Sequence, residues 1–332
     1  FVSVLVLIGI LLGVVVFGYD IGRRYVASIY FQRAVADASI NGNVQGAEAN
    51  FSQALKFSQD AQYFRTLAQL NLAKINILLQ QQNISEDVLK NQFKTDLGIA
   101  LDAAQRAIAL DQTDYQNWVT IGNVYEAVVP FNQENAYEQA GLAYAKAREL
   151  NPQNPAIILA MAQLEVAHND AAKAKAYIAD SIKLKSNYTD AIYYLAQLQI
   201  SEGDLKSAIQ SVEALTFTNP NDAGVYFQLG VLRYNNKDYT GASSALQQAI
   251  LLTPEYANAK YFLGLSLAKL NKTSEAIAQF RDILKTNPDN ADVNKIIANL
   301  EAGRDPITNV TPTSNPPVKE PTPNTTPETA DR

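Results

Sequence analysis

Apolar and small residues recur along this chain at a helical spacing, and the helical pattern itself repeats every 34 residues. Pro220, Pro254 and Pro288 are each 34 residues apart, and Gly230 and Gly264 keep the same interval. A period of this length is typical of stacked helix-turn-helix pairs. The pattern therefore predicts an all-α fold in which each proline ends the second helix of a pair. The same interval separates Ala208, Ala242 and Ala276.

The residues within each period resemble the tetratricopeptide (TPR) repeat. Residues 257–290 contain the pair Leu263-Gly264, then Ala276, Phe280 and Pro288, in the order of that family's pattern. The three preceding periods follow the same register, with Ser186 at one proline position. The resemblance implies a right-handed α-solenoid of about seven helix-turn-helix repeats, in which small residues let paired helices approach closely.

Two of the predicted repeats are longer than 34 residues. One carries six extra residues in a turn near Pro130, and the other has about twenty extra residues, where Ser85 is expected to cap a new helix. A polar capping helix is predicted at 291–303, ended by Gly303. The predicted repeats, the first two of them degenerate, are 28–60, 61–114, 115–154, 155–188, 189–222, 223–256 and 257–290.

The N-terminal end is apolar without interruption. Residues 1–18 carry no charge, and this predicts a transmembrane helix. Because the chain does not begin with Met, we expect this span to continue upstream. A cleaved signal peptide is the alternative, but no basic region precedes the run and no clean cleavage site follows it. Residues 19–27 are interpreted as a juxtamembrane linker, with Arg23 and Arg24 just beyond the bilayer.

The C-terminal end has the opposite character. Residues 304–332 consist largely of Pro, Thr, Asn and Ser. Such a segment buries too little apolar surface to offset the entropy of ordering, which predicts a disordered tail.

Composition removes several classes of function. The formal net charge is −6 and no basic cluster occurs, which argues against nucleic-acid binding. The chain has no Cys and a single histidine, His168, so thiol catalysis and a histidine-rich metal site are not expected. No phosphate-binding glycine motif is present. We therefore predict no catalytic residues, no cofactor and no metal, and a protein that is not an enzyme.

The resemblance also implies a binding surface. In TPR proteins the first helix of each pair lines a concave groove, and the fifth and ninth residues of a repeat point into it. Aromatic side chains in such a groove suit peptide capture, and amides suit hydrogen bonding to a peptide backbone. The alternative is that the aromatic residues pack against the adjacent repeat. The predicted groove residues are Val119, Asn123, Leu159, Gln163, Tyr193, Gln197, Phe227 and Tyr261.

Three functional hypotheses follow. The first is a membrane-anchored scaffold that binds a protein or peptide in its groove. The second is the non-catalytic C-terminal domain of a polytopic bacterial membrane protein resembling O-antigen ligases or polymerases. The third is self-assembly through the ends of the solenoid. The basic residues after the span favour a cytoplasmic location for the repeats, whereas the Thr- and Pro-rich tail favours an exported one.

Overall fold

The structure, a computed structural model, describes residues 2–81, 84–131 and 133–310, with side chains from residue 13 onward. Within these ranges the chain forms fifteen α-helices and a short 3₁₀ helix at Val129–Phe131, and no strand. The predicted all-α fold is therefore confirmed for the described residues. The helices form two compact units, the first ending at Leu184 and the second beginning at Lys185.

The helices follow one another with short connections. Those of the first unit are α1 (Val2–Ser39), α2 (Val44–Phe57), α3 (Ala61–Gln80), α4 (Glu86–Leu110), α5 (Tyr115–Glu126), α6 (Ala136–Leu150), α7 (Pro155–Ala167) and α8 (Ala171–Leu184). Those of the second unit are α9 (Thr189–Ser201), α10 (Leu205–Thr218), α11 (Ala223–Asn235), α12 (Tyr239–Leu252), α13 (Ala257–Lys269), α14 (Thr273–Thr286) and α15 (Ala291–Glu301).

Most helices begin at an Asn or Asp that caps the first turn. The side-chain oxygen accepts a hydrogen bond from a backbone N–H two or three residues later, which satisfies a donor that the helix leaves unpaired. Each cap of this kind stabilises its helix by about 1 kcal/mol. The capping residues are Asn43, Asp60, Asp114, Asn154, Asp170, Asp204, Asp222, Asp238 and Asn290.

The turn inside each regular repeat contains one residue in the left-handed region. Asn169, Gly203, Lys237 and Asn271 have φ between 60° and 81° and are 34 residues apart. Gly and Asn adopt this conformation at low cost, whereas a lysine does not. The 34-residue period therefore includes a backbone requirement that the apolar pattern does not show.

Glycines lie where the paired helices approach most closely. A Cβ added to Gly122 would lie 2.5 Å from a ring carbon of Tyr144, and one added to Gly264 would lie 2.7 Å from the ring of Phe280. Both rings are fully buried. This is the close approach that the Leu-Gly pattern predicts, with one large side chain from the second helix covering the glycine of the first.

A buried charge network joins the second, third and fourth helices. The Lys74 ammonium lies 2.6 Å from an Asp96 carboxylate oxygen and 2.5 Å from one of Glu48. The Asp96 side chain is almost fully buried. The carboxylates raise the pKa of Lys74 against the opposing effect of burial, so the lysine remains charged and pairs both acids.

The first helix is longer than the sequence pattern indicates. Helix α1 continues without interruption through residues 19–27, which were interpreted as a linker. The predicted membrane span at residues 1–18 falls mainly on residues whose side chains lie outside the described part of the chain. Among the described residues, no helix has both the length and the apolar character that crossing a bilayer requires. The structure therefore does not support the predicted transmembrane helix.

The extra residues of the two long repeats have different structures. In 61–114 they lengthen the helices, since α3 has 20 residues and α4 has 25. Ser85 precedes α4 as expected, but its side chain makes no capping hydrogen bond. In 115–154 the extra residues form the 3₁₀ turn, where Val128 and Val129 are buried.

The last helix and the residues after it close the second unit. Helix α15 buries Val293, Ile296 and Leu300 against α14 and ends before Gly303, which has φ 66°. Asn299 Nδ2 donates to the carbonyl oxygens of Pro306 at 3.1 Å and Thr308 at 2.8 Å. Residues 304–310 are therefore held by hydrogen bonds, although they belong to the predicted tail. Residues 311–332 lie outside the described part of the chain.

Candidate functional site

A cavity of about 430 Å³ opens between three helices of the first unit. Each of these helices, α3, α5 and α7, is the first of its pair, and the cavity lies near their N-terminal ends. The helices are held side by side because their partners, α4 and α6, pack behind them. The cavity is lined by Gln62, Arg65, Thr66, Gln69, Tyr115, Gln116, Val119, Thr120, Asn154, Ala156 and Ile157.

Arg65 is the cationic residue of this cavity, and it is held in place by the next repeat. Its Nη1 donates to Asp114 Oδ2 at 2.5 Å and to Asn117 Oδ1 at 2.8 Å. Asn117 is fully buried and donates to the carbonyl oxygen of Asp111 at 2.8 Å. The guanidinium therefore has a fixed position, and the Asp114 carboxylate balances its charge.

Amides and hydroxyls supply most of the remaining polar lining. The hydroxyls of Thr66 and Thr120 donate to carbonyl oxygens of their own helices at 2.9 Å. Thr66 is half-buried and can still offer an acceptor lone pair to a ligand, whereas Thr120 is buried behind the cavity surface. Half-buried Val119 adds apolar contact area. Such a lining can hydrogen-bond a polypeptide backbone and cover small side chains.

The structure brings one of the eight predicted groove residues into this cavity, namely Val119. Leu159 is buried in the first unit, 6% exposed, where a ligand could contact little of it. Gln163 is half-buried on α7 and Asn123 is half-buried on α5, both outside the cavity lining. The groove role of these residues stays a prediction.

Asn123 takes part in an internal network. The Tyr144 hydroxyl lies 2.7 Å from Asn123 Oδ1 and 2.5 Å from Glu126 Oε2. Burial raises the pKa of Glu126 to about 7, although the hydrogen bond from Tyr144 lowers it. Burial also raises the pKa of Tyr144 well above its ordinary value. The side chain of Asn123 is therefore committed to a buried, proton-sensitive cluster.

The four predicted residues of the second unit lie on successive first helices. The Phe227 ring lies 4.9 Å from Tyr256 and 6.0 Å from Phe262, and Tyr261 lies 5.8 Å from Phe280. Burial and then Asp222 raise the pKa of Tyr193. Gln197 is exposed. Phe227 thus packs against Phe262 of the next repeat, as in the alternative interpretation, whereas Tyr261 packs against Phe280 of its own repeat. Both residues remain partly exposed.

Arg65 and Gln69 are cavity residues that the sequence analysis missed. They are the fifth and ninth residues of the long repeat 61–114, the positions at which groove residues were sought elsewhere. Applying the same rule to that degenerate repeat would have found both. Gln62, Gln116 and Asn154 lie at helix starts, where the repeat pattern carries no signal for binding.

His168 ends α7 at the turn, as expected, but its ring is covered on one side. It stacks on Tyr137 with ring centroids 3.8 Å apart. The Tyr137 hydroxyl donates to the buried carboxylate of Glu165 at 3.1 Å. In the described ranges no group of three metal-binding side chains occurs.

Two family models match the second half of the chain. Both are described as Tetratricopeptide repeat, and they cover residues 165–229 and 227–291. Residues 165–291 are therefore similar to tetratricopeptide repeats. Helix pairs also occur on the N-terminal side of this stretch, in the repeats that carry the cavity.

Known proteins resemble this chain at low sequence identity. The peroxisomal targeting signal receptor of Candida albicans is 25% identical over 233 residues, which are 63% of this chain and 38% of the receptor. The chain therefore spans well under half of the curated relative that it matches. The crystal structure of yeast Tom70 superposes with a TM-score of 0.57 at 15% identity, covering 85% of this chain and 54% of Tom70. The crystal structure of MamA gives a TM-score of 0.40 at 22% identity, covering 43% of this chain and 83% of MamA.

The Tom70 superposition shows a similar fold over most of the chain. The comparisons do not support the O-antigen ligase context considered from the sequence.

Proposed function

We propose that this protein is a non-catalytic interaction scaffold whose first-unit cavity binds an extended peptide segment of a partner protein. The observation that carries the proposal is the cavity between α3, α5 and α7, with amide and hydroxyl groups presented by two successive repeats, 61–114 and 115–154. An extended peptide offers N–H and C=O groups along its length, and such a lining can pair with them. The relative named as a targeting signal receptor supports the same kind of role.

The chemistry of the cavity narrows the class of peptide. Asp114, beside the cavity, balances the charge of Arg65, so the site presents little net charge. Val119 can contact a small apolar side chain. We therefore expect the bound segment to be polar or weakly apolar and close to neutral, and its recognition to depend mainly on backbone hydrogen bonds.

A displayed library of random peptides, selected against the purified protein, supplies the probe for this proposal. We predict that the double substitution Gln69→Ala and Gln116→Ala weakens binding of the selected peptides about 30-fold, because two lost hydrogen bonds of about 1 kcal/mol each remove about 2 kcal/mol. Gln105→Ala, on the exposed face of α4, is the matched control. Selected peptides that bind the double variant as tightly as the original protein would show that the cavity is not their site.

We further propose that the N-terminal part of α1 attaches this scaffold to a membrane. The proposal is supported by a row of exposed apolar side chains on α1. The exposed fraction is 64–69% for Val14, Val15, Val16 and Phe17, and 73% for Tyr19. Apolar side chains in such a row favour a lipid environment over water. Flotation of the full chain with phosphatidylcholine vesicles tests this, and a protein that stays unbound refutes it.

The location of the repeats is part of the same proposal. The basic residues Arg23 and Arg24 follow the apolar segment directly, and this favours the cytoplasmic side. Protease accessibility of the repeats in intact and permeabilised cells tests that assignment, because cleavage in intact cells requires an external location.

A further inference from the structure

A second cavity lies where α1 leaves the body of the first unit. Its volume is about 410 Å³, and it is formed by one turn of α1 together with the end of α2 and the turn into α3. Most of the surface that lines this cavity is polar. Its lining residues are Arg23, Arg24, Leu55, Lys56, Phe57, Ser58, Gln59 and Asp60.

Aromatic packing fixes the two sides of this cavity relative to each other. Tyr30 of α1 stacks on Phe57 at the end of α2, with ring centroids 5.9 Å apart and planes within 5°. The next residue of α1, Phe31, stacks on Tyr63 of α3 with ring centroids 4.5 Å apart. Ala27 is fully buried at this junction. The cavity is therefore built from two elements in rigid contact.

Three cationic side chains from two helices line this cavity. Arg23 and Arg24 come from α1, and Lys56 comes from the last turn of α2. The carboxylates nearby are Asp20, which pairs with Arg24 at 2.8 Å and Arg23 at 3.4 Å, and Asp60. Asp60 uses one oxygen to cap α3 at the N–H of Gln62. Three positive groups against two negative ones leave the cavity with a net positive charge.

The cavity also borders the exposed apolar segment of α1. Arg23 lies six residues beyond Phe17, which is about 9 Å along a helix. The headgroup layer on each side of a bilayer is ~5–8 Å thick. With Phe17 at the edge of the hydrocarbon region, the backbone of Arg23 would lie just beyond the headgroup layer, and its long side chain, which leans toward the N-terminal end of the helix, can reach back to the lipid phosphates.

We infer that this cavity binds the phosphate of an anionic phospholipid headgroup and fixes how α1 meets the membrane. The inference rests on the membrane attachment proposed above. The Arg23 and Arg24 guanidiniums and the Lys56 ammonium would contact the phosphate oxygens, and the Ser58 hydroxyl can donate to the same group. A free phosphate offers the same oxygens but no acyl chains beside the apolar residues, so we assign the lipid as ligand.

Vesicle flotation of the full chain tests the inference in two lipid compositions. The probes are phosphatidylcholine vesicles with and without phosphatidylglycerol. The triple substitution Arg23→Gln, Arg24→Gln and Lys56→Gln should reduce partitioning onto the phosphatidylglycerol vesicles on the order of 100-fold, because each basic side chain near an anionic surface contributes about fivefold. Partitioning onto pure phosphatidylcholine should remain unchanged. Lys94→Gln, Lys183→Gln and Lys206→Gln, all exposed and outside the cavity, form the control with the same change in net charge.

The outcomes separate the two proposals. A wild-type chain that binds neither vesicle refutes both the membrane attachment and the headgroup site. Binding to both vesicles with no preference for phosphatidylglycerol, or an equal loss in the control variant, refutes the headgroup site alone. The single variant Lys56→Gln tests whether the cavity or only the basic end of α1 binds the lipid. Weaker partitioning of this variant onto the phosphatidylglycerol vesicles supports the cavity, because a headgroup site requires a contribution from this residue of α2. Unchanged partitioning refutes the headgroup site. Inorganic phosphate that displaces the protein from anionic vesicles at unchanged ionic strength would assign the site to free phosphate and overturn the lipid assignment.

Discussion

Replacement of Gly122 by alanine should destabilise the first unit, although alanine is the better helix former. An alanine in a helix interior is worth roughly 0.5–1 kcal/mol over glycine. At Gly122, however, the new Cβ would lie 2.5 Å from a ring carbon of Tyr144, well inside the ~3.5 Å of an ordinary carbon contact. Since Tyr144 is fully buried and its hydroxyl is hydrogen-bonded, the ring has little room to move.

The expected balance can be worked from these terms. Overpacking of a tight core costs about 1–3 kcal/mol, and the fixed ring points to the upper half of that range. After the gain in helix propensity, Gly122→Ala should lower the free energy of unfolding by about 1–2 kcal/mol. Gly98→Ala is the matched control in the same unit, because nothing lies within 4 Å of an added Cβ there. That variant should raise the free energy of unfolding by about 0.5–1 kcal/mol.

The assay is urea denaturation followed by tryptophan fluorescence. The chain has one tryptophan, Trp118, which lies on the same helix as Gly122 and donates to the carbonyl oxygen of Gln112 at 2.9 Å. Its fluorescence therefore reports on the first unit. In a Tyr144→Leu background the penalty at Gly122 should disappear, which is a coupling of about 2 kcal/mol. Equal stabilisation by the Gly122 and Gly98 substitutions would refute the close approach.

Two further predictions concern a titrating group and a strained turn. Burial raises the pKa of Glu126 to about 7 in the folded protein, whereas a glutamate in the unfolded chain has a pKa of about 4.3. Because the folded state binds this proton more tightly, the free energy of unfolding falls as the pH rises between these two values. Glu126→Gln should therefore stabilise the first unit by an amount that grows by about 2–3 kcal/mol between roughly pH 5 and pH 8, and a difference independent of pH would contradict this. Lys237, with φ 63°, occupies a turn position held by asparagine or glycine in neighbouring repeats, so Lys237→Asn should stabilise the second unit by about 1 kcal/mol in thermal denaturation. The same exchange at Lys206, within α10, should destabilise slightly, and similar effects at both sites would argue against strain.

The repeat pattern predicted helix packing because a given position of the repeat makes the same helix–helix contact in one repeat after another. Gly264 and Phe280 could be assigned to a helix crossing from their spacing alone, and the structure places the ring of Phe280 directly over that glycine. The positive φ at Asn169 and Lys237 could not be assigned in this way. Asn or Gly stands at this position in three of the four repeats, but both residues also occur elsewhere in turns, so their presence alone does not specify a positive φ.

The amino-acid sequence by itself determined the all-α class, the helix pairs and the absence of familiar catalytic motifs, because these depend on local periodicity and on residue types. Only the tertiary structure decided which side chains meet. Arg65 and Val119 share a cavity because two repeats that differ in length still set their first helices side by side. Lys56 joins Arg23 and Arg24 because stacked aromatic rings hold α2 against α1. Contacts of this kind follow from how separate helices pack, and a linear period does not specify them.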